Sequence, residues 1–146
     1  MDELLNLIET LNNRKDIHGI LLQSPIPRTL DINKAFGKIS PEKDVDGFLA
    51  ENVGNLLLGQ PATVACTPFG VMKMLESENV ELSGKNAVVI GRSNIVGKPL
   101  IQCLLQKNAT VTVCHSKTKN LENITKKADI LVAAIGKAKF QKEQKA

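Results

Sequence analysis

Apolar positions recur along this chain at two different spacings, and the change of spacing marks a change of element. Leu4, Leu5, Ile8 and Leu11 form a stripe at helical spacing, which predicts a helix opened by Asp2 and ending near Asn12 and Asn13. The run Ile17 to Gln23 is expected as a strand, closed by the two prolines of "SPIPR", which a sheet interior excludes. Asp31 opens a short helix to about Phe36, residues 40–47 read as a polar loop or turn, and Asn52 to Leu58 reads as a brief helix. Thr67 then Pro68 is the order expected of an N-cap and first helical turn, predicting a helix to about Glu78.

Beyond residue 80 the pattern becomes regular. Small and β-branched residues from Asn86 to Ile90, stopped by Gly91, read as a strand buried on both faces of a parallel sheet. Ile95 to Gln106 follows as a helix with Ile95, Leu100, Cys103 and Leu104 near one face, and Pro99 falls early enough to be tolerated. Ala109 to Cys114 is a second strand, Leu121 to Lys127 a helix, and "DILVAAIG" from Asp129 a third strand. The fold class is therefore α/β: a Rossmann-like parallel sheet domain over 81–146, preceded by part of a smaller α/β lobe over 1–80.

The turn between the first of these strands and its helix is the first candidate for chemistry. Glycine at a strand end lets the backbone turn sharply, and the first N–H groups of the next helix favour an anion, of which phosphate is the natural guest. Gly91 and Gly97 are six apart and Ser93 takes the place of a middle glycine, so the spacing departs from the dinucleotide fingerprint. A tightly packed turn with no ligand uses the same two glycines. The end of the second strand bears on the choice. An NAD site calls for an acid there to accept from the ribose hydroxyls, whereas this chain has Cys114, His115, Ser116 and Lys117, which with Arg92 suit a 2′-phosphate. The cofactor expected is NADP rather than NAD; the alternative is that "HSKTKN" is a solvated loop.

Composition narrows the class further. Charged residues at 23% and hydrophobic ones at 42% describe an ordinary globular chain. There is no apolar run of membrane-spanning length and no signal peptide, so no membrane partner and a cytoplasmic location are expected. Cys66, Cys103 and Cys114 lack metal-ligand spacing, so no metal is expected and all three are read as buried or half-buried thiols. A net charge of +4 with no Tyr or Trp lacks the stacking residues of a nucleic-acid surface. The late lysines, including Lys137, Lys139, Lys142 and Lys145, are read as solvated, and no nucleic-acid partner is expected.

Five separated stretches, in order, carry a resemblance. "HGILLQSPIP" at 18–27, "SPEKDVDGF" at 40–48, "ACTPFGVMKML" at 65–75, "GRSNIVGKP" from Gly91 and "ATVTVCHSKT" from Ala109 closely resemble the bifunctional methylenetetrahydrofolate dehydrogenase/methenyltetrahydrofolate cyclohydrolase family. The resemblance runs from about Glu3 to Gly136. It implies that 1–80 is part of a catalytic, folate-binding lobe and 81–146 part of an NADP-binding domain. The implied reaction is oxidation of 5,10-methylenetetrahydrofolate to methenyltetrahydrofolate with NADP, then hydrolysis to 10-formyltetrahydrofolate.

Matched position by position, the resemblance makes Gln23 the residue that orients substrate and water, and Asp46 the anchor of the pterin ring, whose adjacent N–H donors two carboxylate oxygens can accept. From the residues alone, Gln23 reads first as a group that satisfies a strand-end backbone position, and nothing chooses between Asp44 and Asp46. Ser24 stands where leucine is common in the family. Lys43 reads as a salt-bridge or surface residue. Gly91, Arg92 and Ser93 match the phosphate-proximal turn, His115 and Ser116 the contacts around the ribose and 2′-phosphate, and Cys66, Thr67 and Pro68 a helix start that is read as architecture.

Members of that family also carry a Tyr-x-x-x-Lys pair upstream and a Pro-Gly-Gly-Val-Gly-Pro-Met-Thr stretch downstream, and neither is in this chain. A single strand in the first lobe and an open three-strand sheet in the second leave edges ready to pair. The chain is therefore expected to be truncated at both ends, catalytically crippled alone, and a homodimer. The alternative is an NADP-binding or interaction fragment without turnover.

Overall fold

The computed structural model describes residues 1–136. Their contacts separate into two compact units that divide between Ala65 and Cys66. The sequence reading put the lobe boundary at 80/81; the helix lying between those two positions packs its apolar side on the second unit.

The first unit is mostly helical. Helix α1 spans Asp2–Asn13, α2 Ile32–Phe36 and α3 Ala50–Leu57, with a single 3-10 turn at Pro41–Lys43. The α1 stripe buries Ile8 against Ile20, Ala35 and Ile39, with Leu4, Leu11 and Ile17 around them. Met1, not Asp2, is the N-cap of α1, and Asp2 lies in the first turn, where its charge favours the helix dipole. Asp31 caps α2 as expected, its carboxylate accepting from the Asn33 and Lys34 N–H groups. Phe36 and Phe48 meet edge to face at 5.7 Å.

Ile17 to Gln23 is not a strand. It runs as extended chain with one parallel bridge, Ile20 to Asp44, closed by the Ile20 N–H donating to the Lys43 carbonyl at 2.8 Å. A strand needs a ladder, and the neighbouring segment turns into the 44–47 loop after one rung.

In the second unit α4 spans Cys66–Ser77, β1 Asn86–Ile90, α5 Gly97–Gln106, β2 Thr110–Cys114, α6 Leu121–Thr125 and β3 Ile130–Ala133. The helices begin one or two residues from the expected caps: α4 opens at Cys66 rather than after Thr67, and α5 at Gly97 rather than Ile95. The three strands are parallel in the order β2-β1-β3. Val89 pairs with Val113 on one side and Val132 on the other, so β1 is the central strand and is buried from Ala87 to Ile90. Ala87 and Val89 point to the face covered by Leu100 and Leu104 of α5 and by Val71, Met72 and Leu75 of α4. Val88 and Ile90 point to the other, where Cys114, Leu121 and Ile124 lie. Helices on both faces of a parallel sheet make a doubly wound layer arrangement, in which ligands bind beyond the carboxyl ends of the strands. Cys103 and Cys114 are buried but Cys66 is exposed, against the expectation that all three would be at least half-buried. The late lysines from Lys137 onward, read above as solvated, lie outside the described residues.

Candidate functional site

The carboxyl ends of β1, β2 and β3 meet at Gly91. Its φ of +126° is open to glycine alone, and an added Cβ would come within 2.4 Å of the Ala134 carbonyl oxygen beyond β3. Its N–H donates to the Cys114 carbonyl at the end of β2 at 2.8 Å. The second glycine closes the turn: a Cβ on Gly97 would meet the Gly91 carbonyl at 2.4 Å and the Arg92 Cα at 2.8 Å. Both glycines are thus demanded by backbone-to-backbone approach, with or without a ligand.

Ser93 does something the sequence reading missed. Its Oγ accepts from the N–H groups of Val96 at 3.2 Å and Gly97 at 3.3 Å, and its carbonyl accepts from the Lys98 N–H at 3.0 Å. The side chain takes up donors at the opening of α5, so an anion at this turn would be met chiefly by groups that precede it, among them the exposed Arg92. The signal was legible as a Ser-x-x-x-Gly spacing ahead of an apolar helix.

At the end of β2, His115 is half-buried and its turn is tied twice: the His115 N–H donates to Thr118 Oγ1 at 2.8 Å, and the Thr118 N–H to the His115 carbonyl at 2.8 Å. The Lys117 N–H donates to His115 Nδ1 at 3.2 Å, which leaves Nε2 as the ring atom available to a ligand. Burial raises the Cys114 thiol above its ordinary range, against a smaller opposing hydrogen bond from Thr118. Ser116 and Lys117 are exposed. The turn after β1 and the turn after β2 therefore offer Arg92, His115, Ser116 and Lys117, with no carboxylate among them. Two concavities in this unit, of about 410 Å³ beside Phe69 and Met72 and about 570 Å³ beside Asn86 and Lys119, include none of these residues.

In the first unit the two acids of "KDVDG" separate cleanly. Asp44 is 3% exposed, and its carboxylate accepts from the Gly47 N–H at 3.0 Å, the Leu49 N–H at 2.9 Å and Asn52 Nδ2 at 2.9 Å. Asp46 is half-buried and its side chain has no hydrogen bond to any described residue. Burial, and second the charge of Asp44, raise its pKa. Gln23 and Asp46 each follow a member of the parallel bridge Ile20 to Asp44, so the chain carries both to the same end of it. Gln23 is exposed there, its Nε2 donating to the Ser24 carbonyl at 2.9 Å. Lys43, expected at the surface or in a salt bridge, instead donates to the carbonyls of Leu11 and Arg14 at 2.9 Å each and of Asn12. It serves the last carbonyls of α1.

A doubly wound parallel sheet with a glycine turn at the end of its central strand defines a Rossmann-like nucleotide-binding domain. Two family models match in succession: the catalytic domain of tetrahydrofolate dehydrogenase/cyclohydrolase over residues 1–46 and its NAD(P)-binding domain over residues 65–145. The chain belongs to the tetrahydrofolate dehydrogenase/cyclohydrolase family. It is 55% identical over 143 residues to the bifunctional protein FolD of Ruminiclostridium cellulolyticum, covering 98% of this chain and 50% of that one. Among solved structures it is similar to the bifunctional FolD enzyme of Campylobacter jejuni (48% identity, TM-score 0.88, 91% of this chain and 48% of that one). It is also similar to the Trypanosoma brucei enzyme, solved with NADP and an inhibitor (40% identity, TM-score 0.87, 93% and 47%). The chain spans about half the length of the relatives it matches.

Proposed function

We propose that this chain carries the pterin-binding loop and the NADP turn of a methylenetetrahydrofolate dehydrogenase/cyclohydrolase. The observation that carries the reading is the donor set at the carboxyl ends of β1 and β2: Arg92, His115, Ser116 and Lys117, with no acid to accept from a ribose diol. That set fits a 2′-phosphate and disfavours NAD, which presents hydroxyls there. Bound NADP would supply the hydride acceptor. The chain's own part at that site is to seat the phosphates beside the Gly91 to Ser93 turn and the adenosine ribose beside His115 and Ser116.

The folate side rests on Asp46, a half-buried carboxylate without a described partner, and on Gln23, which the chain carries to the same end of the bridge. Two oxygens accepting from adjacent pterin N–H groups would orient the one-carbon unit, and the Gln23 amide would hold substrate or water. In the resemblance, proton handling at that carbon falls to a Tyr/Lys pair. The 146 residues contain no Tyr, so they alone are expected to bind without appreciable turnover. This favours the second reading, an NADP-binding or interaction fragment, as the behaviour of the chain by itself. Self-association as a homodimer, and a cytoplasmic location, belong to the same proposal; the exposed Val113 and Leu131 on the outer strands support the former. Among the described residues no helix is long and apolar enough to cross a membrane.

The test combines calorimetric titration of NADP and NAD with absorbance assays of NADPH and methenyl product at high protein concentration. NADP is expected to bind more tightly than NAD, with Arg92→Ala removing the preference, and turnover is expected to be absent. Equal binding of both cofactors would overturn the NADP reading. Turnover abolished by Asp46→Ala would overturn the reading that the chain is inactive alone.

A further inference from the structure

We infer that Asp44, locked by Asn52, is the positioning residue for Asp46: a buried polar pair that fixes the loop on which the pterin carboxylate is presented. The inference rests on the folate reading of Asp46 above.

Asp44 and Asn52 are the buried polar residues among those described, and they are bonded to each other. Their bonds tie together the stretches at Pro41, Gly47, Leu49 and Thr63. One Asp44 oxygen takes the Gly47 N–H, immediately after Asp46, and the other takes Leu49. Asn52 Nδ2 donates also to the Pro41 carbonyl at 3.1 Å, and its Oδ1 accepts from the Thr63 N–H at 3.5 Å. Gly47 is pressed against the same segment, since an added Cβ would lie 2.3 Å from the Thr63 carbonyl, and its φ is +66°. On the other side Gly19 packs on Val45, where a Cβ would meet Cγ1 at 2.3 Å. The loop is thus clamped on both flanks of Asp46 while the Asp46 side chain itself is left without a described hydrogen-bond partner. A buried carboxylate with three donors is costly to build and is disrupted by removing any one of them. For a turn alone, a partly exposed Asx residue would suffice.

Asp44 also acts on Asp46 through its charge. Of the charged groups nearby, Lys43 is committed to the α1 carbonyls, and Asp44 is the one whose charge raises the Asp46 pKa, after burial. Neutralising Asp44 should therefore let Asp46 ionise at lower pH, an effect that loss of the loop's hydrogen bonds without loss of that charge would not produce.

The experiment titrates 5-formyltetrahydrofolate into the full chain and its variants between pH 4 and pH 8, alongside a carboxyl ¹³C titration of Asp46. Asp44→Asn is expected to weaken binding by roughly tenfold at neutral pH and to move both the acid limb of binding and the Asp46 titration to lower pH. Asn52→Ala, which keeps the Asp44 charge, is expected to weaken binding severalfold without that acid shift. If Asp44→Asn fails to fold, Asn52→Ala and the wild-type titration decide: a folded Asn52→Ala with wild-type affinity overturns the inference, as does an Asp46 titrating at or below the ordinary aspartate range. An Asp44→Asn that folds and leaves affinity and titration unchanged also overturns it. Asp46→Asn separates the two claims. Unaltered affinity in that variant sinks the folate reading, whereas the effect of Asp44→Asn on the Asp46 titration still tests the positioning role.

Discussion

The two units are held together by different kinds of interaction. From Cys66 onward the structure rests on apolar layers: Val89, Ile90, Leu100 and Leu104 are fully buried, and the turn of Gly91 and Gly97 is set by sterics. From Met1 to Ala65 the apolar cluster around Ile8 and Ile20 is small, and polar side chains carry much of the order. Asp44 and Asn52 hold the loop, Lys43 closes the end of α1, and the Asn12 amide both donates to the Lys38 carbonyl and accepts from the Ser40 N–H. Apolar layers tolerate exchange of one hydrophobe for another, whereas a polar bridge depends on each donor and acceptor.

The largest expected effect falls on the sterically set turn. Gly91→Val forces a branched residue into positive φ and into the Ala134 carbonyl, and should cost about 4 kcal/mol or more. Reaction of the buried Cys103 and Cys114 thiols, against the exposed Cys66, reads opening of the second unit directly. Fast labelling confined to Cys66 in the variant would show that the turn is not a determinant of that unit. Leu104→Ala should follow, at about 3 kcal/mol, as a cavity in the layer between α5 and the sheet. Urea unfolding checks it, and a loss under 1 kcal/mol would mean the layer collapses onto the gap.

These elements were legible because their cause is periodic. The unbroken apolar run buried from Ala87 to Ile90 and the apolar face of α5 are patterns that the sequence displays directly. Ile17 to Gln23 has the same apolar look and is not a strand, because strand formation depends on a partner elsewhere in the chain. The role of Lys43 was illegible for a related reason: its acceptors are carbonyls at Leu11, Asn12 and Arg14, and carbonyls carry no residue identity. The candidate site divides the same way. Gly91 and the ends of β1 and β2 could be placed from pattern, but the distinct roles of Asp44 and Asp46 emerged only from burial and bonding.

The polar unit makes the next predictions. Asn52→Ala leaves the Thr63 N–H and one Asp44 oxygen short of a partner and should cost about 2 kcal/mol. Amide exchange at Gly47 and Leu49 should quicken while the second unit keeps its protection. Equal loss of protection in both units would erase the distinction drawn between them. Lys43→Met removes three bonds to the carbonyls at the end of α1, at about 1 kcal/mol, because water can replace part of what is lost. The check is fraying of that last turn, seen as faster exchange near Leu11, with a fall in midpoint of a few degrees that matches this cost.

The smallest effect has the opposite sign. The Asp46 pKa is raised in the folded chain, first by burial and then by Asp44, so between the unfolded and folded values the native state holds more proton than the unfolded chain. Stability therefore falls as pH rises through that window and stays lower above it. Asp46→Asn, neutral at every pH, should stabilise the chain slightly near pH 7, with the gain disappearing below about pH 4, where the unfolded carboxyl is also protonated. The gain should stay under about 0.5 kcal/mol, because the group is partly exposed and solvent screens it. Denaturation midpoints of the two proteins across pH 3 to 8 decide the matter. A loss on substitution at neutral pH would mean that Asp46 is paired within the fold and that its carboxylate serves stability. A gain would mean the fold keeps a carboxylate it is better off without, which is the signature of a group retained for what it binds.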